Sequence, residues 1–324
     1  MTASLSRRAL APFGAALLAP ALARAQAAWP QRPVVLLVPY PPGGSTDNVA
    51  RPLMQEWSRV IGETIVIENR GGAGGTIGAE VVSRARPDGH MLLLFPTAIF
   101  TISPHMMRPP YDVDRDFAPI ACVAASDAFI VINPARLSVR TIRELVDHAK
   151  ANPGQVRFGS AGNGTITQMQ CEIFGMAAGI RLEHVPYRGS ALSVNDLMAG
   201  HIQMVCDPAA LPAVREGRLR ALATFGEQRH PEFPDVPTLM EMGLAERGAM
   251  SWFGIAAPAG TPPAIQARIA DSLEQALKSE AVARALAIGG LRPAFEKGEA
   301  FASRIARDRA IFGDIIRRTG AGVN

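Results

Sequence analysis

The sequence predicts an α/β fold of two units, each a mainly parallel sheet flanked by helices. Three observations predict it. Short, continuous apolar runs alternate with segments of helical period along most of the chain, the pattern of strands buried on both faces. The length, 324 residues, suits two domains at about 150 residues each. The plan of strand, glycine turn and helix start occurs twice, at Pro39–Asp47 and at Gly159–Thr167, with too little identity to count as a sequence repeat.

The first half opens with the apolar run Val34–Val38, a strand. Thr46 to Ile61 reads as a helix, because Val49, Leu53, Trp57, Val60 and Ile61 fall on one face. Pro52 lies inside it and is expected to kink the helix or cost about 3 kcal/mol. Thr64–Ile67 is a second strand and Gly71–Gly75 a loop. Ile77 to Ala85 is a helix that ends before Pro87-Asp88-Gly89. Met91–Phe95 and Ile120–Ala125 are the third and fourth strands.

The pattern then restarts. Phe129–Ile132 is a strand, Val139 to Ala151 a helix and Val156–Phe158 a strand. A helix over Ile166 to Ala178 follows the second glycine turn. Strands at Leu182–Val185 and Ile202–Cys206 bracket a helix at Leu192–Ala199, and Leu219–Phe225 closes this half. Trp252–Ile255 is a strand beyond a polar connector, and Pro263 to Leu286 and Gly298 to Arg318 read as helices.

The N-terminus has the layout of an export signal. Arg7-Arg8 is a charged start, Ala9 to Ala23 an apolar stretch, and Ala25-Gln26-Ala27 a small-x-small cleavage site. The surroundings of Arg7-Arg8 also resemble a twin-arginine signal. The apolar stretch is shorter than the roughly 20 residues that span a bilayer. Residues 1–27 are therefore expected to be a signal peptide, and the mature chain to be periplasmic. With Arg7, Arg8 and Arg24 set aside, 33 basic residues fall to 30 against 29 acidic ones. That balance, with no basic block interleaved with aromatics, gives no footprint for nucleic acid. Cys122, Cys171 and Cys206 are widely spaced and suit small, buried, apolar roles more than a metal site or a disulfide.

Catalytic and cofactor motifs fail one by one. Phe158-Gly159-Ser160-Ala161-Gly162 approaches the nucleophile elbow, but Phe158 stands at its first glycine. Gly72–Gly78 misses the dinucleotide fingerprint at Ile77, and there is no phosphate-binding loop ending in Gly-Lys. No histidine sits in a motif, although His184, just before Pro186-Tyr187, is the most interesting of the six. An exported hydrolase using Ser160 or Ser45 stays open as a remote alternative. No cofactor is expected.

What remains is a pair of neutral hydrogen-bonding turns. Gly43 and Gly44 let backbone approach closely, and Ser45, Thr46 and Asp47 either cap the helix or face a ligand. The second turn offers Ser160, Asn163, Thr165 and Thr167, with Gly159, Gly162 and Gly164 freeing the backbone. In an open α/β sheet ligands bind beyond the carboxyl ends of the strands, so two such sheets facing one another place both turns across one cleft. Helix N-termini there suit an anion such as a carboxylate without a basic side chain.

Ordered segments along the chain carry a resemblance. They include Pro39-Tyr40-Pro41-Pro42-Gly43-Gly44-Ser45-Thr46-Asp47, Glu68-Asn69-Arg70 with Gly72-Ala73-Gly74-Gly75, and Pro87-Asp88-Gly89-His90. Phe158–Thr165, His184-Val185-Pro186-Tyr187-Arg188-Gly189, Asp235-Val236-Pro237-Thr238 and Ala257–Pro263 continue the series. In these the chain resembles the Bug receptors, the solute-binding receptors of tripartite tricarboxylate transporters.

The resemblance implies a periplasmic-binding-protein-like (type II) Venus flytrap. Lobe one would hold 28–125 and 250–324, and lobe two 126–249. It implies a small carboxylate solute gripped largely through backbone amides. By position, Pro42, Gly44, Ser45, Thr46 and Asp47 would line one side, and Ser160, Ala161, Gly162, Asn163, Thr165 and Thr167 the other. Tyr40, Tyr187 and Asp207 sit at strand ends where they too can face the cleft. Pro52, the segment after Thr165, and Pro208 after Asp207 depart from the family pattern, and they bear on which ligand binds. The implied partners are transporter membrane subunits or, alternatively, a sensor protein, with the receptor itself a monomer.

Overall fold

The computed structural model describes residues 29–245 and 251–319, so the signal peptide expected over 1–27 lies outside the described residues. The first unit runs β1 (Val34–Val38), α1 (Ser45–Ile61), β2 (Ile65–Asn69), α2 (Thr76–Ser83) and β3 (Met91–Pro96). Three short helices follow, α3 (Thr97–Thr101), α4 (Ser103–Met106) and α5 (Val113–Asp116), and then the long β4 (Phe117–Ser126). The second unit holds β5 (Phe129–Ile132), α6 (Ile142–Ala151), β6 (Arg157–Ser160), α7 (Ile166–Ala178) and β7 (Glu183–Pro186). It ends with α8 (Ser190–Ala199), β8 (Met204–Cys206), α9 (Leu211–Arg215) and β9 (Arg220–Thr224). The chain then re-enters the first unit with β10 (Ser251–Pro258), α10 (Pro263–Leu277), α11 (Glu280–Ile288), β11 (Leu291–Lys297) and α12 (Gly298–Thr319).

Two sheets result, of order β11-β4-β10-β3-β1-β2 and β7-β6-β8-β5-β9. They are mixed, which corrects the expectation of mainly parallel sheets. The pairs β1/β2, β1/β3, β6/β7 and β6/β8 are parallel, whereas β10 runs antiparallel to β3 and β4, β11 to β4, and β5 to β8 and β9. The cause is the double crossing. β4 carries the chain out of the first unit and β10 brings it back beside β4, so the two must oppose. Their last pair is Ser126 with Ser251, at the point of crossing.

α1 shows how sequence makes an element here. Val49, Leu53, Trp57 and Ile61 recur every four residues and are buried against α10, where Trp57 donates a 2.8 Å hydrogen bond to Ser272. The helix runs through Pro52 as one element, the Asn48 carbonyl losing its usual donor there. β11 escapes the sequence reading because Pro293 and its charged neighbours look like a connector. The structure makes it an edge strand, where a missing N–H is tolerated. The predicted tail helix over 263–286 is broken in two at Lys278-Ser279. The three cysteine thiols are free and buried, Cys122 in one core and Cys171 and Cys206 in another. Among the described residues no helix is long and apolar enough to cross a membrane.

Candidate ligand-binding cleft

The two glycine turns meet. At the first, the chain leaves β1, and Gly44 stands at the cap of α1. At the second it leaves β6, and Thr165 caps α7, accepting a hydrogen bond from the Gln168 amide. The first amides of each helix have no intrahelical acceptor, and both helix ends carry positive partial charge. The residues at these ends, Gly44, Ser45, Thr46, Thr165, Ile166 and Thr167, line one cavity of about 40 Å³. Tyr40, Ala161 and the Ser126–Ser251 strand pair are also in its wall. Tyr40 and Ala161 are shared with an outer cavity of about 310 Å³, lined also by Gly72–Gly75, Gly162, Asn163 and Tyr187.

The units touch across this cleft. Ser45 donates a 3.0 Å hydrogen bond to Asp207, and Ser103 one of 3.4 Å to the Gly164 carbonyl. Gly74 lies against Asn163 and Gly162. On the far rim Arg215 donates to the carbonyls of Ala287 and Ile288, the last turn of α11, while holding Glu232. The two units are thus hydrogen-bonded to one another on both rims of the cleft.

Several of the expected site residues also brace the turns. Asp47 is buried and accepts from the Gly43 amide (2.9 Å), from Arg51 Nε (2.7 Å) and Nη2 (3.1 Å), and from Asn69 Nδ2 (3.1 Å). Burial opposes its charge, but these donors together hold its carboxyl below the usual carboxylate range. It faces the turn and lines neither cavity. Pro42 is exposed and also lines neither, because the turn projects it to solvent; the neighbouring Pro41 is the one that packs, against Gly71 and Gly189.

On the second turn, Thr165 Oγ1 donates to the Gly162 carbonyl (2.6 Å), and Thr167 Oγ1 accepts from the Ala161 amide (2.9 Å). Ser160 is fully buried behind the wall, its Oγ within 3.1 Å of the Gly162 amide and 2.7 Å of His184 Nε2. No motif pairs Ser160 with a histidine, and the fold supplies one. The pair still cannot reach a substrate, since Ser160 lies outside both cavities. The imidazole stacks on Phe158, and burial lowers its pKa to about 4.

Tyr40 spends its hydroxyl on the Gly74 carbonyl (2.6 Å), and burial raises that phenol well above its ordinary pKa. Tyr187 spends its own on Asp196 (2.7 Å) and is pushed up to about 12, first by burial and then by that carboxylate. Asp207 is buried behind Ser45, Ser190 and Pro208, and among the described residues its Oδ2 forms no well-aligned hydrogen bond. Burial raises its carboxyl, with Ser190, the Ala209 amide and Ser45 acting against that.

Ser126, Ser190, Ser251, Pro96, Ile166 and Phe253 line the inner cavity without any sequence signal to single them out. Among the described residues no group of His, Cys, Asp and Glu is placed to hold a metal ion.

Comparison with known proteins agrees with this architecture. BugT of Bordetella pertussis is 35% identical over 297 residues, 90% of this chain and 91% of that protein. Among solved structures, Rpa4515 of R. palustris with adipate is 28% identical at TM-score 0.86, covering 90% of this chain and 98% of the other. MatC of Rhodopseudomonas palustris with bound malate is also 28% identical, at TM-score 0.82 with 89% and 100% covered. A TctC solute-binding protein from Polaromonas with no ligand is 30% identical, at TM-score 0.67 with 90% and 99% covered. The description "Tripartite tricarboxylate transporter family receptor" matches residues 49–321, and the chain belongs to that family, TctC, whose members are solute-binding receptors and not enzymes.

Proposed function

We propose that this receptor captures a small carboxylate in the periplasm and presents it, lobes closed, to the membrane subunits of a tripartite tricarboxylate-type transporter. The observation that carries the reading is the convergence of α1 and α7, one from each unit, on a cavity whose wall, among the described residues, includes no lysine or arginine. Two helix N-termini supply free amides and positive potential to one point. A carboxylate bound there completes both helices at once, so it holds the lobes together. Each amide bond to a charged acceptor contributes about 1.5–3 kcal/mol.

The lobes in this reading are 28–125 with 250–324, and 126–249, crossing beside Ser126 and Ser251. At nearly equal identity, the malate- and adipate-bound neighbours are closer in shape than the ligand-free one, which supports reading this form as the closed, ligand-competent state. The binding set is the amides of Ser45, Thr46, Ile166 and Thr167, with Tyr40, Gly44 and Ala161 as walls; Gly162, Asn163 and Tyr187 form the mouth. Asp47, Thr165 and Ser160 act behind them by fixing the turns.

Thermal unfolding with a panel of mono-, di- and tricarboxylates, amino acids and sugars tests this. A carboxylate at 100 times its Kd adds about 2.7 kcal/mol of stability. Stabilisation by sugars alone, with none from any acid, rejects the reading.

A further inference from the structure

The Ser45 hydroxyl is on the cavity wall, but its single proton is committed. It donates to Asp207 Oδ1, 3.0 Å away across the cleft, and that oxygen also accepts from the Ala209 amide at 2.9 Å. A hydroxyl that donates one way offers only lone pairs the other way. Beside it, Asp207 Oδ2 is buried and among the described residues forms no well-aligned hydrogen bond, the Ser190 hydroxyl being a neighbouring donor that favours its charge. Other parts of the polar wall are of the opposite kind. The α1 and α7 amides donate, and the Ser126 hydroxyl, buried and without a partner among the described residues, is free to donate.

We propose that the Ser45–Asp207 pair makes one corner of the cavity an acceptor site, and that it selects acids carrying a hydroxyl or ammonium group near the carboxylate over plain acids of equal length. This rests on the carboxylate-receptor reading and narrows it. A site built to accept a hydrogen bond discriminates strongly against an analogue that lacks the donor, because its buried acceptors are then left unpaired. A second carboxylate in that corner is disfavoured further, since it brings more acceptors to acceptors. The pair also forms only when the lobes meet, so a donor-bearing ligand stabilises closure through it. Asp207 is a positioning residue here: it acts through Ser45.

The test is calorimetric titration of the purified protein with matched triplets: propionate, lactate and alanine; succinate, malate and aspartate; glutarate, 2-hydroxyglutarate and glutamate. In the triplet of best-fitting length, the hydroxy or amino acid is expected to bind about tenfold or more tighter than the plain acid. Ser45→Ala or Asp207→Asn is expected to compress that ratio to about threefold or less, a change that loss of packing alone would not produce. Tighter or equal binding of the plain acid overturns the proposal and leaves the receptor reading standing. So does a ratio unchanged in both variants. No binding by any acid in the panel overturns both. The relative response to the hydroxy and amino members identifies which donor the corner takes.

Discussion

Gly74 of one lobe faces Asn163 of the other so closely that a Cβ on Gly74 would lie 2.3 Å from the Asn163 carbonyl oxygen. Gly74 also has φ 65°, where an L side chain costs about 1–2 kcal/mol. Gly74→Ala is therefore expected to act twice. It lowers stability by about 1 kcal/mol and props the lobes apart, weakening the best ligand at least tenfold. Small-angle scattering checks the second effect, since the variant keeps the open radius of gyration at ligand concentrations that close the parent.

Arg215 tests the opposite rim. Its guanidinium caps the C-terminus of α11 from the other lobe, a contact that opening of the lobes would break. Arg215→Ala is expected to weaken ligand binding about threefold to tenfold by titration, through faster release. Its effect on the melting temperature without ligand is small, because the residue is near the surface and its carbonyl partners regain water.

Asp47 is expected to be a stability residue first. Asp47→Ala leaves the Gly43 amide without its acceptor and Arg51 without its pair, and takes one of two acceptors from Asn69, which keeps the Tyr40 carbonyl. A loss of about 2–3 kcal/mol follows in urea unfolding, together with weaker ligand binding because the turn no longer aims its amides. The folded pKa lies below the unfolded one. The contribution is thus present above the ordinary carboxylate pKa and is lost as pH falls through the depressed value.

His184 gives a separate pH signature. Burial lowers its pKa to about 4, so the folded state prefers the neutral ring that pairs with Ser160. Unfolded chains take up the proton first, near pH 6.5. Its stabilising contribution is complete above that pH and is lost as pH falls toward about 4. His184→Gln, which keeps an acceptor for Ser160, is expected to flatten this part of the melting-temperature profile without altering ligand selectivity.

Both turns were legible in the sequence because each is local: strand, glycines, hydroxyl, helix. The start of α7 at Ile166 follows directly from Thr165 acting as its cap. What each hydroxyl does was not legible. Whether Ser45 gives its proton to a ligand or to the protein depends on Asp207, 162 residues away. The cavity floor was hidden for the same reason. Ser126 and Ser251 are unremarkable polar residues at strand ends, and only the pairing of the outgoing and returning strands makes them neighbours. β11 was missed because its proline is tolerated at an edge, and edges are a property of the assembled sheet.

The free buried thiols have a practical use. Cys122 sits in the core of the sheet that contains both chain crossings, and Cys171 and Cys206 in the core of the other sheet. Burial holds Cys122 and Cys171 well above the ordinary thiol pKa, so none of their reactivity is available while the cores are shut. A thiol reagent added in mild denaturant therefore labels each half at the rate at which that half opens. Mass spectrometry of the labelled peptides reads the two rates apart, a native clock for each side of the clamp that needs no engineered probe.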